Sequence, residues 1–140
     1  MPSKLESILL ALTAAIDAAT YATVERGSVL PTEVPPDGLV ILRDGDPGEP
    51  EYTMSPMTWH YEHVAACEIY ADAEDRDAAF DLLKRQIGTA IAADRTLGGL
   101  CDWVEAEAPA TEDLPLEGGA TTKAAIIPIR LHYATTDPLG

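Results

Sequence analysis

The chain has 140 residues, 46% of them hydrophobic, and sets 24 acidic against 9 basic side chains for a net charge of −15. That length suits one domain burying roughly two-thirds of its unfolded surface, while dispersed acids without a Lys/Arg stripe exclude an ordinary binder of phosphate backbones. No apolar run approaches the ~20 residues of a membrane span, and residues 1–6 lack the basic-then-apolar layout of a signal peptide, so the expected setting is the cytoplasm or a particle assembled there.

The first predicted element is a helix over residues 3–20. Leu5, Ile8, Leu9, Leu12, Ile16 and Ala19 recur at helical spacing, and Ser3 with Glu6 three residues later fits a capping box. Thr20, Tyr21, Thr23 and Val24 raise the β-propensity, with the question of a true strand left open, and Arg26-Gly27-Ser28 reads as a turn. Pro31, Pro35, Pro36, Asp37 and Gly38 then form a breaker cluster. Residues 39–43, Leu-Val-Ile-Leu-Arg, are too short for a helix between such flanks and read as a strand. Residues 44–57 hold three prolines, two glycines and four acids, the pattern of a long exposed loop or hairpin arm without a core of its own.

Residues 59–73 alternate in the β manner. Tyr61, His63, Ala65, Cys67, Ile69 and Ala71 form the more apolar face and should meet the helices. This places His63 half-buried and turns Glu62 and Glu68 toward solvent or a partner. A second helix is expected over residues 75–93, buried through Phe80, Leu83, Ile87, Ala90 and Ile91, with Glu74, Asp75 and Asp77 at its positive dipole end. Residues 94–100 break it with two glycines; a short strand follows over 101–106, then a second acidic Gly/Pro-rich loop over 109–122. The closing strand spans 123–135, and Pro128 removes a ladder donor, which places this strand at an edge or puts a bulge there. The expected fold is α+β: a small, mostly antiparallel sheet with two helices packed on one face, in one domain over residues 1–140.

Chemical motifs are sparse. His60, His63 and Cys67 are metal-ligand types, but on a strand the two histidines point to opposite faces, and His63 and Cys67 stand ~13 Å apart by the strand rise. Cys67 and Cys101 belong to no clustered pattern and read as reduced core residues. The acidic field opposes a thiolate nucleophile, and no G-x-S-x-G, P-loop or G-x-G-x-x-G occurs. The expectation is a non-enzymatic chain with no cofactor and no metal. What remains is organisation: two acidic loops, longer than ordinary connections, projecting from a helix-backed sheet.

That layout resembles the tail terminator (minor tail) proteins of long-tailed bacteriophages, prophages and gene-transfer particles. The resemblance is carried by the amphipathic N-terminal helix and by residues 40–46, Val-Ile-Leu-Arg-Asp-Gly-Asp. It continues in the long strand containing His60-Tyr61-Glu62-His63, the mid-chain helix, the turn over residues 93–100 and the closing strand with Leu131-His132-Tyr133-Ala134-Thr135. It implies a structural virion protein forming a homo-oligomer, a hexameric ring, that caps the tail tube, stops its polymerisation and joins it to the head-completion (stopper or connector) proteins. The implied place is the head-proximal end of the virion tail, assembled in the bacterial host cytoplasm. DNA would pass through the ring without specific binding, past acids that repel phosphate, and no membrane is involved. Ring or subunit contacts fall on Arg43, Asp44, Asp46, Glu49, Glu51 and Tyr52. The alternatives are a tail-completion or head–tail neck protein, a ferredoxin-like ligand-binding module or enzyme, and an intracellular dimer whose acidic face binds a basic protein.

Overall fold

The computed structural model describes residues 1–29, 33–72, 74–115 and 121–140. Its elements run α1 (Lys4–Ala19), β1 (Thr23–Arg26), β2 (Leu39–Asp46), β3 (Glu51–Thr53), β4 (Thr58–Ala71), α2 (Arg76–Ala93), β5 (Trp103–Ala106), β6 (Ala110–Pro115) and β7 (Thr121–Thr135). The sheet order is β1-β2-β4-β7-β5, with β3 added to β4 and β6 to β7; β1 pairs parallel to β2 and every other pairing is antiparallel. This is the expected α+β fold, with both helices on one face of a mostly antiparallel sheet.

The spine is the pairing of β4 with β7, unbroken from Trp59 opposite Thr135 to Ala71 opposite Lys123. Against that pair lie two interrupted outer strands. One extra residue enters β2 between Arg43 and Asp46 relative to β4, and another enters before Glu51. On the far side, β5 and β6 follow β7 with one extra residue between Ala106 and Ala110.

Gly45 carries the first bulge. Its φ is +79°, and a Cβ there would sit 1.9 Å from the Val64 carbonyl oxygen. Only glycine combines that backbone angle with so close an approach.

Hydrophobic alternation explains which face is covered. Val40, Leu42, Ala65, Cys67, Ile69, Ala71, Ala125, Ile127, Ile129 and Leu131 form one core with Ile8, Leu9, Leu12 and Ile16 of α1 and with Phe80, Leu83, Ile87 and Ile91 of α2. Each fully buried Leu or Ile contributes about 1.5–3 kcal/mol by removal from water. On the opposite face a smaller cluster, Val34, Leu39, Ile41, Tyr70 and Ala124, closes only one end.

Local signals set the helix starts. Ser3 Oγ accepts the Glu6 N–H at 3.2 Å, and Asp75 Oδ1 accepts the Ala78 N–H at 3.2 Å. The capping box is only half made, because the Glu6 carboxylate turns to the Arg26 guanidinium instead of the Ser3 amide.

Several expectations are corrected. Arg26 belongs to a strand, not a turn. The strand expected over 39–43 continues to Asp46, and the segment 44–57 is the hairpin arm of its two readings, since Glu51–Thr53 pairs with the start of β4. The acidic loop expected over 109–122 is instead strand over Ala110–Pro115 and again from Thr121, where β-ladder bonding outweighs composition; residues 116–120 lie outside the described set. The strand expected from residue 101 starts at Trp103.

The closing strand is interior, not an edge. Pro128 is tolerated because its carbonyl, which accepts the Glu107 N–H at 2.9 Å, faces the break between β5 and β6. In an extended strand the N and C=O of one residue point the same way, so the missing donor falls where the neighbouring strand is already interrupted.

Replacing Gly45 by Ala should lower unfolding free energy by at least about 2 kcal/mol through strain and a backbone clash. Gly48→Ala, also at positive φ but with open space around it, should cost only about 1 kcal/mol. Urea titrations of the two variants test this, and equal losses would contradict the assigned bulge.

Candidate interaction surface

The helix-free face of the sheet and the arm at its end form the candidate surface. Along β4 this face carries His60, Glu62, Val64, Ala66, Glu68 and Tyr70, opposite Ala134, His132, Arg130, Pro128, Ile126 and Ala124 of β7. Ile126 and Trp103 remain about half exposed, at 49% and 47%. Antiparallel sheets accept a solvated face when polar residues alternate with the buried set, as here.

Two charge networks organise it. Arg130 reaches Glu107 at 2.7 Å, Glu62 at 3.7 Å and Glu105 at 3.8 Å, and His132 lies between Glu62 and Glu105 at 3.5 and 3.2 Å. Arg43 holds Glu68 at 2.6 Å and donates to the Ser28 carbonyl at 2.9 Å, while the Tyr70 hydroxyl donates to Glu68 at 2.7 Å. Burial pushes the Glu68 carboxyl up, but the hydrogen bonds from Arg43 and Tyr70 and the Arg43 charge outweigh it, leaving Glu68 below the usual carboxylate range.

Glu68 therefore does not face open solvent as its strand position suggested. His63 is likewise buried rather than half-buried, at 2% exposure. Its Nε2 meets the Asp44 carbonyl, and because a carbonyl only accepts, Nε2 carries a proton; Nδ1 has no hydrogen-bond partner among the described residues. The Gly45 bulge is what aims that carbonyl inward.

The six residues expected at a contact divide into two groups. Arg43 is committed to Glu68. Asp44 accepts from Arg26 at 2.8 Å, and Arg26 also grips Glu6 of α1 at 2.6 Å, tying α1, β1 and β2 together. Asp46 accepts the Gly48 N–H at 2.8 Å and shapes the bend before β3. Those three build the root of the arm. Glu49, Glu51 and Tyr52 lie further out and are exposed, Tyr52 at 61%.

Sequence reasoning missed the apolar tip. Met54 is 76% exposed and Met57 38%, beside Tyr52 on the turn joining β3 to β4. The signal was present, two methionines and a tyrosine in a segment too short to bury them, but the acids and prolines drew attention first. Also missed was a groove of about 290 Å³ at the foot of the arm, lined by Glu49, Glu51, His60, Glu62, Asp102 and His132, together with the stacked pair Tyr61 and Tyr133.

The three metal-ligand types set aside in the sequence do not come together. His60 lies on the open face with Nε2 3.0 Å from Thr53 Oγ1, while His63 and Cys67 lie in the core, and among the described residues no group of three or more His, Cys, Asp and Glu is placed to hold a metal ion. Burial pushes the Cys67 thiol up to about 12, and burial with Asp102 and Asp94 nearby pushes Cys101 up to about 11, so both stay protonated at neutral pH. A smaller pit of about 100 Å³ lies at the opposite end of the sheet among Tyr21, Pro36, Leu82 and Leu83. No described helix is long and apolar enough to cross a membrane. Comparison with protein-family models finds no match, and comparison with curated proteins finds none either.

Glu68→Gln should destabilise the fold by about 1 kcal/mol at pH 7, a figure held down by solvent screening at the partly exposed Arg43. The folded Glu68 carboxyl titrates lower than the unfolded one, so its contribution is present above the unfolded value near 4.5 and fades as pH falls through the folded value. Denaturant titrations at pH 7 and at successively lower pH should show the wild-type advantage at the first and its steady decline below the unfolded value.

Proposed function

We propose that this chain is a structural assembly subunit of a phage-type tail, a tail terminator in manner. It would form a hexameric ring on the tail tube, halt tube polymerisation and present a surface to head-completion proteins. The observation that carries this reading is the projecting β2–β3/β4 arm, whose tip exposes Tyr52, Met54 and Met57 on a chain otherwise dressed in acids. Exposed apolar side chains gathered on a projection mark contact surfaces, and the root of the arm is pinned by the Arg26–Asp44 pair and the Gly45 bulge, so a contact there would be presented in a fixed pose.

Composition supports the second half of the reading. A ring of chains each at −15 surrounds its lumen with a field that repels phosphate, letting DNA pass without sticking. The protein would then act at the head-proximal end of a virion tail, with tube protein and stopper or connector protein as its neighbours. No catalytic step is assigned to it.

Sedimentation velocity over a range of protein and salt concentrations tests the proposal. The wild-type chain should reach ring-sized species as concentration rises, sooner at higher salt, where like-charge repulsion is screened. The double variant Tyr52→Ser/Met54→Ser should keep the same thermal unfolding and lose that association. A wild-type chain that stays a strict monomer throughout, and on added tail-tube protein, would overturn it.

A further inference from the structure

The arm also carries an unpaired sheet edge. β1 follows β2 only as far as Arg26 opposite Leu42, where the Gly27 N–H closes the ladder on the Leu42 carbonyl at 3.0 Å. Beyond that point the chain from Arg43 to Thr53 has β4 on one side and, among the described residues, no strand on the other. Across the sheet, at β5, Arg95 donates to the Val104 carbonyl at 2.8 Å and lies over the Trp103 ring at 5.0 Å. An edge with free backbone groups is a template for an added strand.

The charges decide which strand. Glu49 and Glu51 flank the open edge and, with Asp102, line the groove at its foot, where no Lys or Arg stands in the lining; the fourth carboxylate, Glu62, already meets Arg130 at 3.7 Å. Carboxylates without a basic partner suit an ammonium or guanidinium group. A second copy of this chain has few such groups to offer, and its most exposed neighbouring pair, Lys84 and Arg85, shares one carboxylate, Asp81, on α2. Lys4, Arg26, Arg43, Lys84, Arg85, Arg95, Lys123 and Arg130 are all held in internal hydrogen bonds or ion pairs, leaving Arg76 as the one basic residue without such a contact among the described residues. Two copies approaching edge to edge would set acid against acid.

We propose that the edge of β3 and the adjoining groove dock an extended, lysine- or arginine-bearing segment of a different protein, which adds to the sheet as a strand and seats a cationic side chain in the groove. This deepens the assembly reading by giving the chemistry of the non-self neighbour, and it can fail separately from ring formation. The acids at the edge serve two ends at once: they discourage sheet-to-sheet pairing of identical chains and they select a basic partner.

The test uses the intact chain and an eight-residue peptide of alternating lysine and valine, with glutamate–valine and threonine–valine peptides as controls. Hydrogen exchange should slow at residues 51–53 with the lysine peptide alone. Glu49→Gln/Glu51→Gln should weaken that binding about tenfold, whereas Asp17→Asn/Glu74→Gln, which removes equal charge from exposed sites elsewhere, should leave it within about twofold. Equal weakening by the two variants, or protection at 51–53 by the threonine or glutamate peptide, or none by the lysine peptide, would overturn the proposal. Sedimentation of the same samples separates the two claims: a ring that forms without edge protection defeats only this inference, and edge protection on a strict monomer defeats only the ring.

Discussion

Everything in this fold hangs on the long pairing of β4 with β7. Those two strands pair without interruption from Trp59 to Ala71, and each carries an apolar face that both helices cover. The other strands are additions to that ribbon, and each addition is imperfect. The β2–β3 side has inserted residues at the Gly45 bulge and before Glu51, and the β5–β6 side is broken opposite Pro128. A continuous centre with interrupted flanks gives the molecule both a stable core and, at the β3–β4 turn, an exposed tip beyond the last β4–β7 pair.

The break at Pro128 and the bulge at Gly45 show how sequence and ladder negotiate. Proline takes a position where its missing donor has no strand to serve, and glycine takes the one position where the chain must pass against the Val64 carbonyl. The second consequence of that bulge is electrostatic. It turns the Asp44 carbonyl onto His63 while the Asp44 carboxylate faces Arg26, so one residue ties the buried histidine, β1 and, through Arg26 and Glu6, the first helix.

Much of the fold was legible because its signals are periodic. The helical stripe from Ile8 to Ile16 and the alternation from Tyr61 to Ala71 each name a buried face, and both faces are buried as read. The loop readings fared less well because composition is a weak guide where backbone pairing decides. Residues 110–115 look like a loop by their acids and proline, yet they bond to β7. Arg43, Asp44 and Asp46 resemble solvated charges in the sequence, since nothing local reveals that Glu68 and Arg26, distant along the chain, will meet the first two. Of the candidate surface, Glu49, Glu51 and Tyr52 were legible as exposed, and the methionine tip was legible in a segment too short to bury it; the groove depends on strand register and was not.

The acidity takes a definite form once the contacts are known. Nearly all the basic side chains are consumed internally, and the surplus carboxylates are left to act outward. An arm built on a fixed root, tipped with Tyr52, Met54 and Met57, is where that surplus meets exposed apolar surface. The assembly contact proposed for the chain falls on this arm and not on a helix face. Hydrogen exchange of the unmodified chain, compared between dilute and concentrated solution, tests it most directly. Protection gained on concentration should centre on the tip, residues 54–58, whereas gain confined to the exposed helix positions around Leu10 and Leu82 would contradict an arm contact.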